Sequence, residues 1–177
     1  MGIGAIQRGV PMLRFLAATA AAALLATPAM ADGIYAELLT GYDGVTFAGN
    51  NYGGVAYGLG LGAEVTIAGK VYAAVEVSGT DSTTKSTFLG VTSGRNLAAV
   101  AKIGVGITDN ISLYALGGYS NARLKGPGGA SNLDGIRAGI GWRYKLGQAY
   151  VKGEFHYTNY EQGVKRYQGI AGLGYQF

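Results

Sequence analysis

Apolar and polar positions alternate along most of this chain. In residues 53–67, Val55, Tyr57, Leu59, Leu61, Ala63, Val65 and Ile67 share one parity; Ala56, Gly58, Gly60, Gly62, Glu64 and Thr66 share the other. In 95–107, Leu97, Ala99, Ala101, Ile103, Val105 and Ile107 oppose Lys102, Gly104 and Gly106. In 135–146, Ile136, Ala138, Ile140, Trp142, Tyr144 and Leu146 oppose Arg137, Arg143 and Lys145. In 149–160, Ala149, Val151, Gly153, Phe155 and Tyr157 oppose Lys152, Glu154 and His156. Glu37 opposes Ile34, Ala36 and Leu38, and Glu76 opposes Val71, Ala73, Val75 and Val77. A period of two marks a strand between two different environments. The pattern predicts strands at roughly 33–42, 53–67, 70–80, 95–107, 111–122, 135–146, 149–160 and 167–177.

The predicted connections alternate in length. Ala68-Gly69, Thr108-Asp109-Asn110 and Gly147-Gln148 are short and rich in turn residues. The others, about 43–52, 81–94, 123–134 and 161–166, are longer and polar. Short turns at one end and longer loops at the other suit an up-and-down antiparallel barrel with both termini at the short-turn end. A soluble lipocalin-like barrel would show the same parity with the apolar face turned inward. Three features separate the two. The apolar faces run for about five to seven residues, enough for a strand to cross lipid. Aromatic residues collect at the ends of that face: Tyr42, Tyr57, Tyr119, Tyr157 and Tyr167 at one end, Trp142, Tyr144, Tyr175 and Phe177 at the other. The opposite face is crowded with glycine, a poor water-facing surface but a roomy lining for a narrow barrel.

Composition agrees. Charged residues make up 14% of the chain, against roughly 25% in soluble domains, and there is no cysteine. Residues 1–31 have the layout of a signal peptide: Arg8 and Arg14, an apolar core from Phe15 to Leu25, and Ala29-Met30-Ala31 before Asp32. The expected division is a signal peptide over 1–31 and a barrel domain over 32–177. Without Arg8 and Arg14, twelve basic residues face ten acidic ones, so the net charge of +4 falls to +2 and gives no ground for nucleic-acid binding.

The last strand, Tyr167 to Phe177, ends in Tyr175-Gln176-Phe177. It resembles the C-terminal strand of bacterial outer-membrane barrels, which the barrel-assembly machinery reads, with Gly172, Tyr175 and Phe177 as the matching positions. Residues 33–177 as a whole resemble the small outer-membrane barrels of the OmpA/OmpX and opacity-protein type. Residues 104–119, GVGITDNISLYALGGY, are similar to that family's strand–turn–strand. The resemblance implies an all-β fold: an eight-stranded antiparallel transmembrane up-and-down β-barrel in the Gram-negative outer membrane, preceded by a signal peptide. It implies a non-enzymatic, monomeric protein serving envelope integrity, adhesion or loop-mediated binding. Unlike OmpA, the chain is expected to have no periplasmic domain.

An eight-stranded barrel is filled by its own side chains. Here Glu37, Glu64, Glu76 and Glu154 would meet Lys102, Arg137, Arg143, Lys145 and Lys152, beside Tyr35, Tyr72, Tyr114 and Tyr150. Buried charges require partners, so the interior reads as a salt-bridge plug or, alternatively, as a narrow porin-like channel. His156, the single histidine, lies in a His-x-Thr sequence with Thr158 that resembles the His-x-Ser of outer-membrane lipid A deacylases. No acidic residue is evidently placed to orient it, and an interior polar histidine is the simpler reading. One histidine and no cysteine supply no zinc site, the glycines form no phosphate loop, and no cofactor is expected. Lys85, Arg95, Arg123, Lys125, Lys165 and Arg166 read as an outer rim, either solvated or touching lipopolysaccharide phosphates.

Overall fold

The computed structural model describes residues 32–47, 50–86, 91–126 and 129–177. The predicted signal peptide lies outside the described residues. The strands are β1 (Gly33–Phe47), β2 (Asn50–Ala68), β3 (Val71–Ser82), β4 (Lys85–Ser86), β5 (Val91–Gly106), β6 (Ile111–Gly126), β7 (Gly129–Leu146), β8 (Ala149–Tyr160) and β9 (Lys165–Gln176). Each long strand pairs antiparallel with its sequence neighbour. β3 pairs with β5, and the two-residue β4 hangs on the edge of β5. β9 returns to β1 over twelve residue pairs, from Tyr35–Gln176 to Thr46–Lys165. The eight long strands therefore close on themselves and leave no open edge.

The parity expected from the sequence is the parity observed. Large apolar residues on one face are exposed, including Leu38 at 60%, Ile140 at 66% and Ile136 at 67%. A continuous belt of this kind is far larger than a water-soluble monomer carries. Tyr175 and Phe177 meet edge to face, with ring centroids 5.1 Å apart, at the short-turn end of the belt. Tyr157 and Tyr167 meet at 5.1 Å towards the other end. The turns at Gly69 and Gly147 hold φ of 56° and 70°, a conformation that glycine adopts without steric cost.

The structure differs from the sequence reading at the end opposite the short turns. β1 and β2 stay paired through Val45–Tyr52 and Phe47–Asn50, and β6 and β7 through Lys125–Ala130 and Gly126–Gly129. Much of the expected loops 43–52 and 123–134 is therefore strand. Backbone pairing needs no apolar face, so the ladder continues after the lipid-type alternation stops. A β-bulge shifts the register of β5 against β6 between Ser93 and Asn96. It leaves Gly94 and Arg95 opposite Arg123.

Four contacts seal the short-turn end from inside. Tyr35, Tyr72, Tyr114 and Tyr150 point inward and lie directly across from Gly62, Gly104, Gly141 and Gly174. Each ring covers its glycine so closely that a Cβ there would come within 2.2 to 2.6 Å of a ring atom. Aromatic cover of a strand glycine restores the packing that the missing side chain gives up.

Candidate functional site

Among the described residues, many ionisable groups converge in the interior. Alternation carries them there: Glu37, Glu64, Glu76, Lys102, Arg137, Arg143, Lys152, Glu154 and His156 are all at least nine-tenths buried. They stack in layers along the barrel axis.

Nearest the short turns, Arg143 pairs with Glu64 at 2.7 Å and lies over the rings of Tyr72 and Tyr150 at 5.0 and 5.3 Å. Lys145 is partly exposed at this mouth, 4.0 Å from Glu64. A polar hollow of about 260 Å³ opens here, lined by Glu64, Lys70, Ser112, Arg143 and Lys145 among others.

The middle layer is densely connected. Lys102 donates to Glu76 at 2.5 Å and to Glu154 at 2.7 Å. Lys152 reaches Glu37, Glu76 at 3.3 Å and Glu154 at 3.0 Å. Tyr150 donates to Glu37, Tyr114 to Glu154 and Tyr35 to Glu76. Three carboxylates thus share two ammonium groups and three phenols. The space left between this layer and the one below is about 10 Å³, no more than a single water needs.

Above it lie apolar residues that a polar-inside rule does not anticipate: Leu39, Val100, Leu116 and Ile170 all point inward. Arg137 follows, donating to Thr158, Gln168 and Ser120. Next, Asp43 receives two bonds from Arg166, at 2.6 and 2.8 Å, and further bonds from Ser82 and Thr84. Val45, Ala122, Leu133, Tyr160 and Val164 form an apolar cluster across the hairpin end.

Two sequence expectations are corrected. Arg166 is not a rim residue: it is 2% exposed and locked to Asp43, which the sequence reading left in a loop. Because the strands run past their expected ends, the inward parity of Glu37 and Leu39 continues to Asp43 and Val45, and that of Gln168 back to Arg166. His156 does have an acidic neighbour. Its Nε2 lies 2.9 Å from Glu154, two residues back on the same strand face. Thr158, however, is fully buried and accepts from Arg137. Of the other expected rim residues, Arg95, Arg123 and Lys165 are exposed, while Lys85 and Lys125 fall outside the described side chains.

The expected assembly positions sit on the closing seam. The Phe177 amide donates to the Ile34 carbonyl at 2.8 Å. Tyr175 donates to Gln148 at 2.6 Å. Gly172 faces inward, where an added Cβ would meet Lys152 at 2.9 Å and Leu39 at 3.2 Å.

A family model described as outer membrane protein beta-barrel domain matches residues 15–177. No curated protein matches the sequence. Among solved structures, the chain is similar to Ail, the attachment invasion locus protein of Yersinia pestis, at 15% identity and a TM-score of 0.62, covering 84% of this chain and 99% of that one. A second structure of Ail is in complex with the heparin analogue sucrose octasulfate. The chain is also similar to Neisserial surface protein A, at 14% identity and a TM-score of 0.65, covering 81% and 97%. The N-terminal barrel domain of Pseudomonas aeruginosa OprF gives 14% identity and a TM-score of 0.58, covering 83% and 98%.

Proposed function

Since the chain belongs to the outer membrane protein beta-barrel domain family, and so resides in the Gram-negative outer membrane, we propose that it is a non-enzymatic surface-interaction protein that works through its long hairpins. The observation that carries this reading is the filled interior. A solute crossing the barrel would have to displace the middle ion-pair layer and then the apolar cluster of Val45, Leu133, Tyr160 and Val164. Recognition therefore falls to the outside.

The hairpins support that role. β6 and β7 stay paired from Tyr119 in the aromatic belt to Gly126, seven residues further on. At about 3.3 Å per residue they rise roughly 20 Å above the belt. The bulge at Gly94-Arg95 sets Arg95 beside Arg123 on the outward face, just beyond Leu97 and Tyr119. This pair suits anionic groups, either lipopolysaccharide phosphates at the membrane surface or the sulfates of a polysaccharide such as the one whose analogue binds Ail. In this reading residues 1–31 direct export, the terminal strand is read by the barrel-assembly machinery, and the finished barrel is a monomer.

The test is binding of heparin, and separately of lipopolysaccharide, to the barrel in phospholipid nanodiscs at about 0.15 M salt, where exposed charges are screened beyond about 8 Å. Binding that weakens when Arg95 and Arg123 are both changed to Gln supports the reading. Absence of binding to either ligand, together with single-channel steps in planar bilayers, would replace it with a channel.

A further inference from the structure

The hairpin half of the interior holds more positive charge than its own carboxylate neutralises. Arg137 and Arg166 are both buried there, at 4% and 2% exposure. Asp43 is committed to Arg166 through both oxygens. Arg137 forms no ion pair among the described residues; its partners are Thr158 at 3.1 Å, Gln168 at 2.9 Å and Ser120 at 3.4 Å. The nearest carboxylate of the layer below, Glu154, already serves Lys102, Lys152 and His156.

Three buried atoms near Arg137 have no hydrogen-bond partner: two amide donors and His156 Nδ1, on the residue directly across from Gln168. A guanidinium only donates, so the Gln168 oxygen must face it, and the Gln168 Nε2 is left as a donor with no acceptor. The Asn96 oxygen takes the Ser120 hydroxyl at 2.7 Å, and the Asn96 Nδ2 is likewise left without an acceptor. Both side chains are 1% exposed. An unpaired buried donor costs about 1–3 kcal/mol. Two such donors beside a buried cation call for an acceptor that also carries negative charge. A water molecule would bring two further donors and no charge.

We propose that this layer binds one small monovalent anion of chloride size, held by Arg137, Gln168 and Asn96. The surrounding side chains touch one another at 2.7 to 3.4 Å, too closely set for a carboxylate or phosphate. The positive excess is local to this layer: Arg137 and Arg166 face the single carboxylate of Asp43, while over the described interior five buried basic groups balance five buried acidic ones. The Asp43–Arg166 lock and the apolar cluster cover the site on one side, and the middle layer covers it on the other. The ion is therefore taken up as the barrel closes and exchanges slowly afterwards.

The test is to unfold the protein in urea and refold it into detergent with bromide as the sole halide. Anomalous diffraction is then collected at the bromine edge from crystals of the refolded barrel. The expected result is one buried peak within about 3.5 Å of Arg137 and Gln168. A second arm uses Gln168→Glu, which supplies the negative charge from the protein itself at nearly the same size. That variant is expected to fold, to lose the peak, and to refold equally well in bromide and in gluconate, whereas the parent refolds less completely in gluconate. An intact parent barrel with no buried peak overturns the proposal. So does a peak of equal height in Gln168→Glu.

Discussion

The two halves of the barrel interior solve the same problem differently. In the short-turn half, Glu37, Glu76 and Glu154 are each reached by a lysine and by a tyrosine or histidine, so removing one member weakens the pairing of several others at once. In the hairpin half, one carboxylate, Asp43, anchors one guanidinium, while Arg137 is held by neutral oxygens. Lysines suit the first arrangement because a compact ammonium can bridge carboxylates from several directions. The fork of Arg166 suits the second, because it matches a single carboxylate with two parallel bonds. The contrast teaches that burial depth does not set how a charge is satisfied. The choice of partner does: the middle layer joins β1, β3, β5, β6 and β8 through shared carboxylates, whereas in the hairpin half Asp43 joins β1, β3 and β9 and Arg137 joins β6, β7, β8 and β9 through hydroxyl and amide oxygens.

The largest expected effect comes from breaking the denser half. Glu76→Ala leaves Lys102 and Lys152 under-neutralised and should cost about 3–5 kcal/mol, read as a lower urea midpoint and earlier loss of the fast-migrating unboiled band in SDS gels. Replacing Glu76 and Lys102 together by Leu and Met should recover much of that loss, since no isolated charge remains between them. Asp43→Asn should fall at the low end of that range, about 3 kcal/mol, because Arg166 loses its counter-charge but keeps one oxygen acceptor. Its mark should be proteolytic nicking confined to the hairpin end. Gly141→Ala tests packing alone: the new methyl would press on the Tyr114 ring, for a loss of about 1–2 kcal/mol, and Tyr114→Ala in the same chain should remove the clash.

The smallest effect concerns Asp32, outside the strands. Its carboxylate accepts the Thr66 side-chain and backbone hydrogen bonds, which hold its carboxyl below the usual range. A depressed native value means the contact stabilises the fold above the unfolded pKa of about 3.9 and is lost as pH falls through the native value. Asp32→Asn should therefore lower stability slightly at neutral pH and leave it unchanged below the native value, which flattens the acid limb of a stability–pH curve.

The fold was legible because lipid-type alternation is a long-range pattern: Lys152, Glu154 and His156 agree on one face, and so do Arg137, Arg143 and Lys145. The hairpin half was harder to read. Tyr42-Asp43-Gly44 and Gly163-Val164-Lys165-Arg166 look like turn and rim in composition. Only the continuation of parity past the last lipid-facing residue marks Asp43 and Arg166 as interior. The inward Leu39, Val100, Leu116 and Ile170 ran against a rule that equates the inside with polarity. A narrow barrel has no such rule, because its centre is packed by whatever side chains fit.

The four tyrosine-on-glycine contacts carry a counting constraint. In each, ring and glycine belong to the two arms of one hairpin: β1 and β2, β3 and β5, β6 and β7, β8 and β9. The seal is thus written in units of two strands. Deleting a single strand would strand a ring without its glycine or open a hole under a glycine without its ring. Gaining or losing a whole hairpin would keep every pair intact. Duplication or loss of hairpins is therefore the route by which a chain of this kind can change circumference.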